Sequence, residues 1–85
     1  MRDNELLRRI EVNPRVMLGK PVIRGTRIPV EQILRKLAQD IAPDEIVADF
    51  PRLTLEDIRA ALAYAALSLS TEEVIPLGLE ETVAV

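Results

Sequence analysis

The clearest pattern in the chain is a helical repeat of apolar side chains that begins at Val30. Apolar residues recur at intervals of three and four, at Val30, Ile33, Leu34, Leu37 and Ile41. This spacing places them on one face of an α-helix, and polar residues occupy the other faces. We therefore expect a helix over about residues 30–40.

A second, shorter helix is expected over residues 43–50. Pro43 suits the first helical position, and the two acids after it favour the positive end of the helix dipole. Ala42 would be the N-cap but has no side-chain oxygen, which costs this helix about 1 kcal/mol relative to serine. Pro51 ends the helix. Its apolar face consists of Ile46, Val47 and Phe50.

The third helix has the strongest signals and is expected over residues 54–69. Thr54 is its N-cap, and Asp57 lies three residues on, as in a capping box with Asp in place of Glu. Four alanines raise the helix propensity and allow close approach of a neighbour. Tyr64 lies off the main stripe, facing either solvent or a partner. The predicted buried stripe consists of Leu55, Ile58, Leu62, Ala65 and Leu69.

The residues before Val30 predict a small β element. Residues 5–10 fit one or two helical turns, whereas residues 9–12 alternate like a strand, and both alternatives end at Asn13-Pro14. Short strands are expected at residues 15–18, 22–23 and 27–28. Such a small element is marginal alone, so it should pack on the helices or pair with a second copy.

A basic turn joins this β element to the first long helix. Residues 19–30 contain two glycines, two prolines and three cations but no acid. Gly25 accepts a positive φ without steric cost, so residues 24–27 are expected to form a tight reversal. Lys20-Pro21 is most simply explained as turn chemistry.

The composition indicates a single small domain. With 85 residues, 48% apolar residues and 2% aromatics, the core must consist of aliphatic side chains and alanine, as in a helical bundle. Such a small core suggests support from a dimer or a partner. We expect a domain over residues 1–69 and a tail over residues 70–85. No apolar run is long enough to cross a bilayer and the N-terminus is not a signal peptide, so we expect a cytoplasmic protein with no membrane partner.

Charge is divided unevenly along the chain. Residues 1–40 carry nine Lys/Arg and five Asp/Glu, whereas residues 41–85 carry two and nine. A basic and an acidic half suggest two different partners, or a dimer that pairs the halves. The alternative is that these charges simply coat solvent-exposed faces.

The residue types exclude most catalytic chemistry. Without histidine or cysteine there is no Ser–His or Cys–His nucleophile and no His/Cys metal site. The glycines do not have phosphate-loop spacing. Neighbouring acids at residues 56–57 and 72–73 are better explained by helix N-terminal electrostatics. We therefore expect no enzyme activity, no catalytic or metal-binding residues, no cofactor and no small-molecule substrate.

The second and third helices, joined by a turn of about three residues, fit a helix-turn-helix. The alternative is a three-helix bundle with no role in DNA binding. Glu56 and Asp57 begin the helix that would contact bases, where they repel phosphate, so we expect phosphate contacts mainly from the basic turn and the first helix. Arg24 and Arg27 could instead pair with acids such as Glu31 or Asp49. The expected DNA-binding residues are Arg15, Lys20, Arg24, Arg27, Arg35, Lys36 and Arg59.

Residues 13–14, 19–30 and 49–65 carry a specific pattern, most distinctive in the run Gly-Lys-Pro-Val-Ile-Arg-Gly-Thr-Arg-Ile-Pro-Val. Through this pattern residues 8–66 resemble a small prokaryotic family catalogued as a domain of unknown function, number four-three-three. The resemblance implies a mainly α fold: a three-helix, homeodomain-like helix-turn-helix with a short N-terminal β element. It also implies the antitoxin of a type II toxin–antitoxin pair, beside a toxin with a PIN-like nuclease fold, and no catalytic residues.

Two hypotheses of function follow. In the first, the chain is an antitoxin and transcriptional autoregulator that binds operator DNA as a homodimer through its basic half. Its acidic, apolar tail would then cover a basic nuclease surface. In the second, the chain is a protein-interaction module or helical scaffold with no DNA-binding role. The tail residues expected to bind the partner are Val74, Ile75, Leu77 and Leu79.

Overall fold

The computed structural model describes residues 3–70, and their fold is mainly α. This part of the chain contains α1 (Asp3–Leu7), α2 (Val30–Ala38), α3 (Pro43–Asp49) and α4 (Leu55–Ser70), with one antiparallel pair of short strands, β1 (Ile10–Glu11) and β2 (Val22–Ile23). The last three helices begin and end within two residues of the expected bounds. The first helix is an addition to the expected three, so residues 5–10 contain one short helix followed by the start of a strand.

The strand expected at residues 22–23 is confirmed, and it pairs with β1, which lies within the strand-like residues 9–12, whereas residues 27–28 form no strand. Ile10 lies opposite Ile23 and Glu11 opposite Val22, and Pro29 extends the pairing on the other side of Val22. The strand expected at residues 15–18 is wrong. The Asn13 side chain and carbonyl accept the N–H groups of Arg15 and Val16, which turns the chain. Met17–Gly19 then forms a tight turn in which all three residues have positive φ.

The basic turn reverses the chain as expected, and Gly25 accounts for its shape. The Thr26 N–H donates to the Ile23 carbonyl at 2.9 Å, which closes a β-turn with Gly25 at its third position. Gly25 has a φ of +80°, which side chains with a Cβ rarely adopt. The Thr26 hydroxyl donates to the same carbonyl and accepts the Ile28 N–H, which fixes the turn on β2.

The helix α2 ends two residues earlier than expected because a specific cap stops it. Asp40 adopts a left-handed conformation with φ +65°, and its N–H donates to the Leu37 carbonyl. The next N–H, of Ile41, reaches back to the Lys36 carbonyl at 3.1 Å. These two bonds form a Schellman motif with aspartate where glycine is commonest.

The helix α3 begins at the expected weak cap. Ala42 has no side-chain acceptor, so a capping box forms only in its reciprocal half, where the Glu45 carboxylate accepts the Ala42 N–H at 3.3 Å. Ile46 is fully buried, and Val47 and Phe50 pack against the core as their spacing predicted.

The core lies where α4 meets the other elements. The apolar face of α2 is confirmed, since Val30 and Ile33 are buried and the rest of its stripe packs against the core. Tyr64 is half-buried against this core, so it points neither fully to solvent nor only to a partner. The buried apolar side chains in this cluster are Leu6, Ile10, Ile23, Val30, Ile33, Ile46, Leu53, Ile58, Ala60 and Ala61.

The buried stripe expected on α4 is largely wrong. Of its five residues Ile58 is buried, whereas Leu55, Leu62 and Leu69 are 42%, 49% and 69% exposed. The helix instead buries Asp57, Ala60 and Ala61. Alanine is small enough for the axis of α4 to approach its neighbours closely, and leucine at those positions would force the helices apart. The leucines therefore lie on the outside.

None of the helices within residues 3–70 is long and apolar enough to span a lipid bilayer.

Candidate nucleic-acid interface

The carboxylate of Asp57 organises the start of α4. Its Oδ2 accepts the Thr54 N–H at 3.0 Å, and the Asp57 N–H donates to the Thr54 hydroxyl at 3.2 Å. These bonds confirm the expected capping box. The other oxygen, Oδ1, accepts a hydrogen bond and ion pair from Arg9 Nη1 at 3.2 Å. Asp57 is only 5% exposed, so a nearly buried charge ties α4 to the segment between α1 and β1.

Arg24 ties the basic turn to the same segment. Its Nε donates to the Arg8 carbonyl at 2.8 Å and its Nη2 to the Ile10 carbonyl at 3.2 Å. Its backbone N–H donates to the Arg9 carbonyl, which continues the strand pairing. Carbonyl oxygens carry no net charge, so these bonds hold the guanidinium in place without neutralising it.

Two more arginines, Arg8 and Arg52, lie near Arg9 and Arg24, and each is part of a short turn. The Arg9 N–H donates to the Leu6 carbonyl, and this turn leaves the Arg8 side chain exposed. In the turn between α3 and α4, the Leu53 N–H donates to the Phe50 carbonyl and Arg52 is exposed. Leu6 and Leu53 are buried, so each turn is anchored by an apolar side chain one or two residues from its arginine.

These side chains surround an open groove of about 490 Å³, which we call the arginine groove. Four guanidinium groups and two carboxylates line it, and Asp57 already pairs with Arg9. No carboxylate within residues 4–70 forms an ion pair with Arg8, Arg24 or Arg52. The groove is therefore positive although the whole chain carries a net charge of −3. Its lining residues are Glu5, Arg8, Arg9, Arg24, Arg52, Thr54 and Asp57.

Among the seven cations expected to bind DNA, the structure places only Arg24 in the arginine groove. Lys20 and Arg35 both pair with Glu31, at 3.0 and 2.9 Å, on the exposed side of α2. The ammonium of Lys36 lies 5.5 Å from the centre of the Phe50 ring, a cation–π distance. The other three, Arg15, Arg27 and Arg59, are exposed outside the groove.

The alternative pairing considered for the basic turn, with Glu31 or Asp49, does not form. In the described part of the chain, Arg24 and Arg27 form no ion pair with Glu31 or Asp49. Glu31 takes Lys20 and Arg35 instead. The hydrogen-bonded Lys20 ammonium, and to a lesser degree Arg35, lowers the pKa of Glu31.

Glu56 keeps its charge at the start of α4. A hydrogen bond from its own backbone N–H lowers the pKa of Glu56, and the Thr54 hydroxyl lowers it further. Of the two acids expected to repel phosphate at the start of α4, only Glu56 is therefore an available anion. Asp57 is buried and paired with Arg9.

Sequence reasoning missed Arg8, Arg9 and Arg52 as members of a site. The available signal was the adjacent arginine pair before β1 and the single arginine between two helices. The expected partner residues Val74, Ile75, Leu77 and Leu79 lie outside the described residues, as does nearly all of the tail. Residues 3–70 contain no cluster of acids that could hold a metal ion.

Two curated relatives match parts of the chain. An uncharacterized protein from Sinorhizobium fredii, y4eO, is 36% identical over 53 residues, which are 62% of this chain and 24% of that protein. An uncharacterized protein from Archaeoglobus fulgidus is 55% identical over 29 residues, which are 34% of this chain and 81% of that protein. The match to the first relative thus spans about a quarter of that protein.

A solved structure shares the fold. The crystal structure of a DUF433 member from Anabaena variabilis aligns with a TM-score of 0.70 at 34% identity, over 79% of this chain and 66% of that one. The sequence pattern that defines the family described as "Protein of unknown function (DUF433)" matches residues 10–65. That range includes the strand pair, the basic turn and most of α4. The chain therefore belongs to the DUF433 family.

Proposed function

We propose that this chain is the DNA-binding antitoxin of a type II toxin–antitoxin pair and that the arginine groove contacts the phosphate backbone of its operator. The observation that carries the proposal is the convergence of Arg8, Arg24 and Arg52, without ion-pair partners among residues 4–70, on one groove of an acidic chain. Guanidinium groups are suited to phosphate because their planar donors match its oxygens.

The groove lies where a helix-turn-helix would meet DNA. In the proposed homeodomain-like arrangement, α3 and α4 are the two helices, and α4 is the one that enters the major groove. Thr54, which caps the start of α4, also lines the arginine groove. Arginines beside this helix start would position α4 through the phosphates, which fixes register but reads no sequence.

The toxin half of the proposal depends on the family resemblance and on charge. The acidic second half of the chain, with an apolar tail after residue 70, suits a basic nuclease surface. An operator and a nuclease partner both belong to the cytoplasm, where we place the protein. Deletion of residues 70–85 should abolish neutralisation of the nuclease encoded beside this chain and leave DNA binding intact; retained neutralisation would refute the tail as the contact.

A gel shift against the DNA upstream of the chain's own reading frame tests the DNA half. The test variant is Arg8→Ala with Arg52→Ala, and the matched control is Arg15→Ala with Arg35→Ala, which removes the same charge outside the groove. We expect the test variant to bind more weakly. The slope of its log affinity against log salt concentration should fall by the amount expected for about two phosphate contacts. The control should resemble the wild type. Equal losses in both variants would contradict a role for the groove.

A protein-interaction module with no DNA-binding role is the second candidate. The exposed leucines of α4 favour it, since large exposed apolar side chains on one helix mark contact surfaces. The same gel shift separates the candidates, because a module with no DNA-binding role would not shift the upstream DNA at any salt concentration.

A further inference from the structure

The second half of α4 carries no charge and extends beyond the core. From Ala60 to Ser70 the helix has no Asp, Glu, Lys or Arg, and every residue from 66 to 70 is exposed. A helix that is uncharged on all sides is normally buried. This end of α4 therefore lacks the cover that its composition calls for within the described part of the chain.

Three exposed leucines define one face of this helix. Leu55, Leu62 and Leu69 are spaced by seven residues, so they lie almost in line along α4, and they are 42%, 49% and 69% exposed. A seven-residue apolar repeat packs best against another helix that presents the same repeat. We call this surface the leucine face.

The leucine face continues into a groove of about 460 Å³ between α3 and α4. Pro43, Leu55 and Leu62 supply apolar lining, and Asp44 and Arg59 supply one charge of each sign. Neither charge forms an ion pair with a side chain of residues 4–70. A two-fold axis places different residues of the two copies against each other, so Arg59 of one copy can meet Asp44 of the other, twice.

We propose that a second copy of the chain docks on the leucine face, with α4 against α4 around a two-fold axis and Asp44 paired with Arg59 across the interface. The opposite charges on one groove favour a second copy over an unrelated partner, because the surface is complementary to itself. The inference does not need the proposed function. A monomer that binds DNA would overturn the dimer alone, and a dimer that does not bind DNA would overturn DNA binding alone.

Sedimentation equilibrium of the full chain tests the proposal, with a mass of twice 9.5 kDa expected at micromolar concentrations. Leu62→Glu should weaken the dimer more than about tenfold, because it places a charge in the interface. The matched control is Leu67→Glu, since Leu67 is 48% exposed, similar to Leu62, but lies on another face of α4. A monomeric wild type, or equal weakening by both variants, overturns the proposal.

A charge swap tests the pairing without touching the leucines. Arg59→Asp and Asp44→Arg should each weaken the dimer roughly tenfold, since each places like charges together. The double variant restores opposite charges and should recover the affinity. Circular dichroism verifies that each variant is folded. A double variant as weak as the single variants would overturn the arrangement even if Leu62→Glu fails to fold.

Discussion

The two ends of α4 differ in how far other parts of the same chain contact and cover them. At the start, Asp57 is buried and all its contacts come from the same chain, through Thr54 and Arg9. At the end, an uncharged helical segment with Leu67 and Leu69 is exposed. The start of α4 therefore needs no second molecule to pair its buried carboxylate, and exposed arginines lie beside it. The other end lacks a cover within residues 3–70. One helix thus separates a surface suited to a polyanion from a surface suited to another protein.

The largest expected effect is on stability and concerns the start of α4. Asp57→Ala should lower the free energy of unfolding by about 2–3 kcal/mol, since it removes the carboxylate that accepts the Thr54 N–H and leaves the Arg9 guanidinium without its ion-pair partner. Urea denaturation at a fixed protein concentration measures this, because dimerisation also contributes to stability.

Glu56→Ala is the matched control for this prediction. It removes a neighbouring carboxylate from the same turn of α4 that accepts hydrogen bonds from its own N–H and the Thr54 hydroxyl but forms no ion pair among residues 4–70, so its effect should be smaller. Similar losses for both variants would mean that Asp57 acts only through the helix dipole.

The next effect compares two alanines of α4. Ala61 is fully buried and Ala66 is exposed. Ala61→Leu should destabilise the fold by about 1–3 kcal/mol through overpacking, whereas Ala66→Leu should cost nothing and strengthen self-association. Thermal unfolding and sedimentation of both variants measure these effects. A tolerated leucine at residue 61 would contradict close packing at that position.

A smaller effect is expected at the turn that carries Arg24. Gly25→Ala should cost about 1 kcal/mol, since the new Cβ meets no atom within 4 Å and the penalty comes from the positive φ alone. DNA binding should weaken because the turn positions Arg24, while the dimer should be unaffected. Chemical denaturation and the gel shift measure these outcomes, and an unchanged stability would indicate that the turn adapts.

The smallest effect concerns Glu31, which lies in neither region. Since Lys20 lowers the pKa of Glu31 in the folded state, the contact stabilises the fold above the ordinary pKa near 4.5 and is lost as the pH falls through the lowered value. Lys20→Ala should raise the pKa of Glu31 toward 4.5, as measured by NMR titration of its carboxyl carbon. Both side chains are exposed, so stability should change little and the effect should fade at high salt.

Much of the fold could be predicted because its signals are local. The spacing of Val30, Ile33 and Leu37 fixes one face of α2, and the Thr54–Asp57 spacing fixes the start of α4. The end of α2 could not be placed as well, because aspartate at residue 40 takes a conformation usually given to glycine.

The face of α4 was misassigned because a hydrophobic pattern ranks leucine above alanine. Burial in a small domain also depends on how closely a helix can approach its neighbours, and this favours Ala60 and Ala61. The sequence pattern therefore located the leucines correctly on one line but assigned that line to the core rather than to the surface.

The arginine groove could not be assembled from spacing. Arg9 and Asp57 are 48 residues apart, and Arg24 reaches the Arg8 carbonyl across 16 residues. Only the packing of α1, the basic turn and the start of α4 brings these groups together. Local reasoning found single cations, several of which are taken up by Glu31 or Phe50.

The most direct test of the polyanion surface is an NMR titration of the labelled chain with its upstream duplex, observed at the arginine side-chain N–H groups. We expect the signals of Arg8, Arg24 and Arg52 to move together with the backbone amide of Thr54, while those of Arg15 and Arg35 stay in place. Movement confined to Arg15 and Arg35, or no movement at low salt, would contradict it.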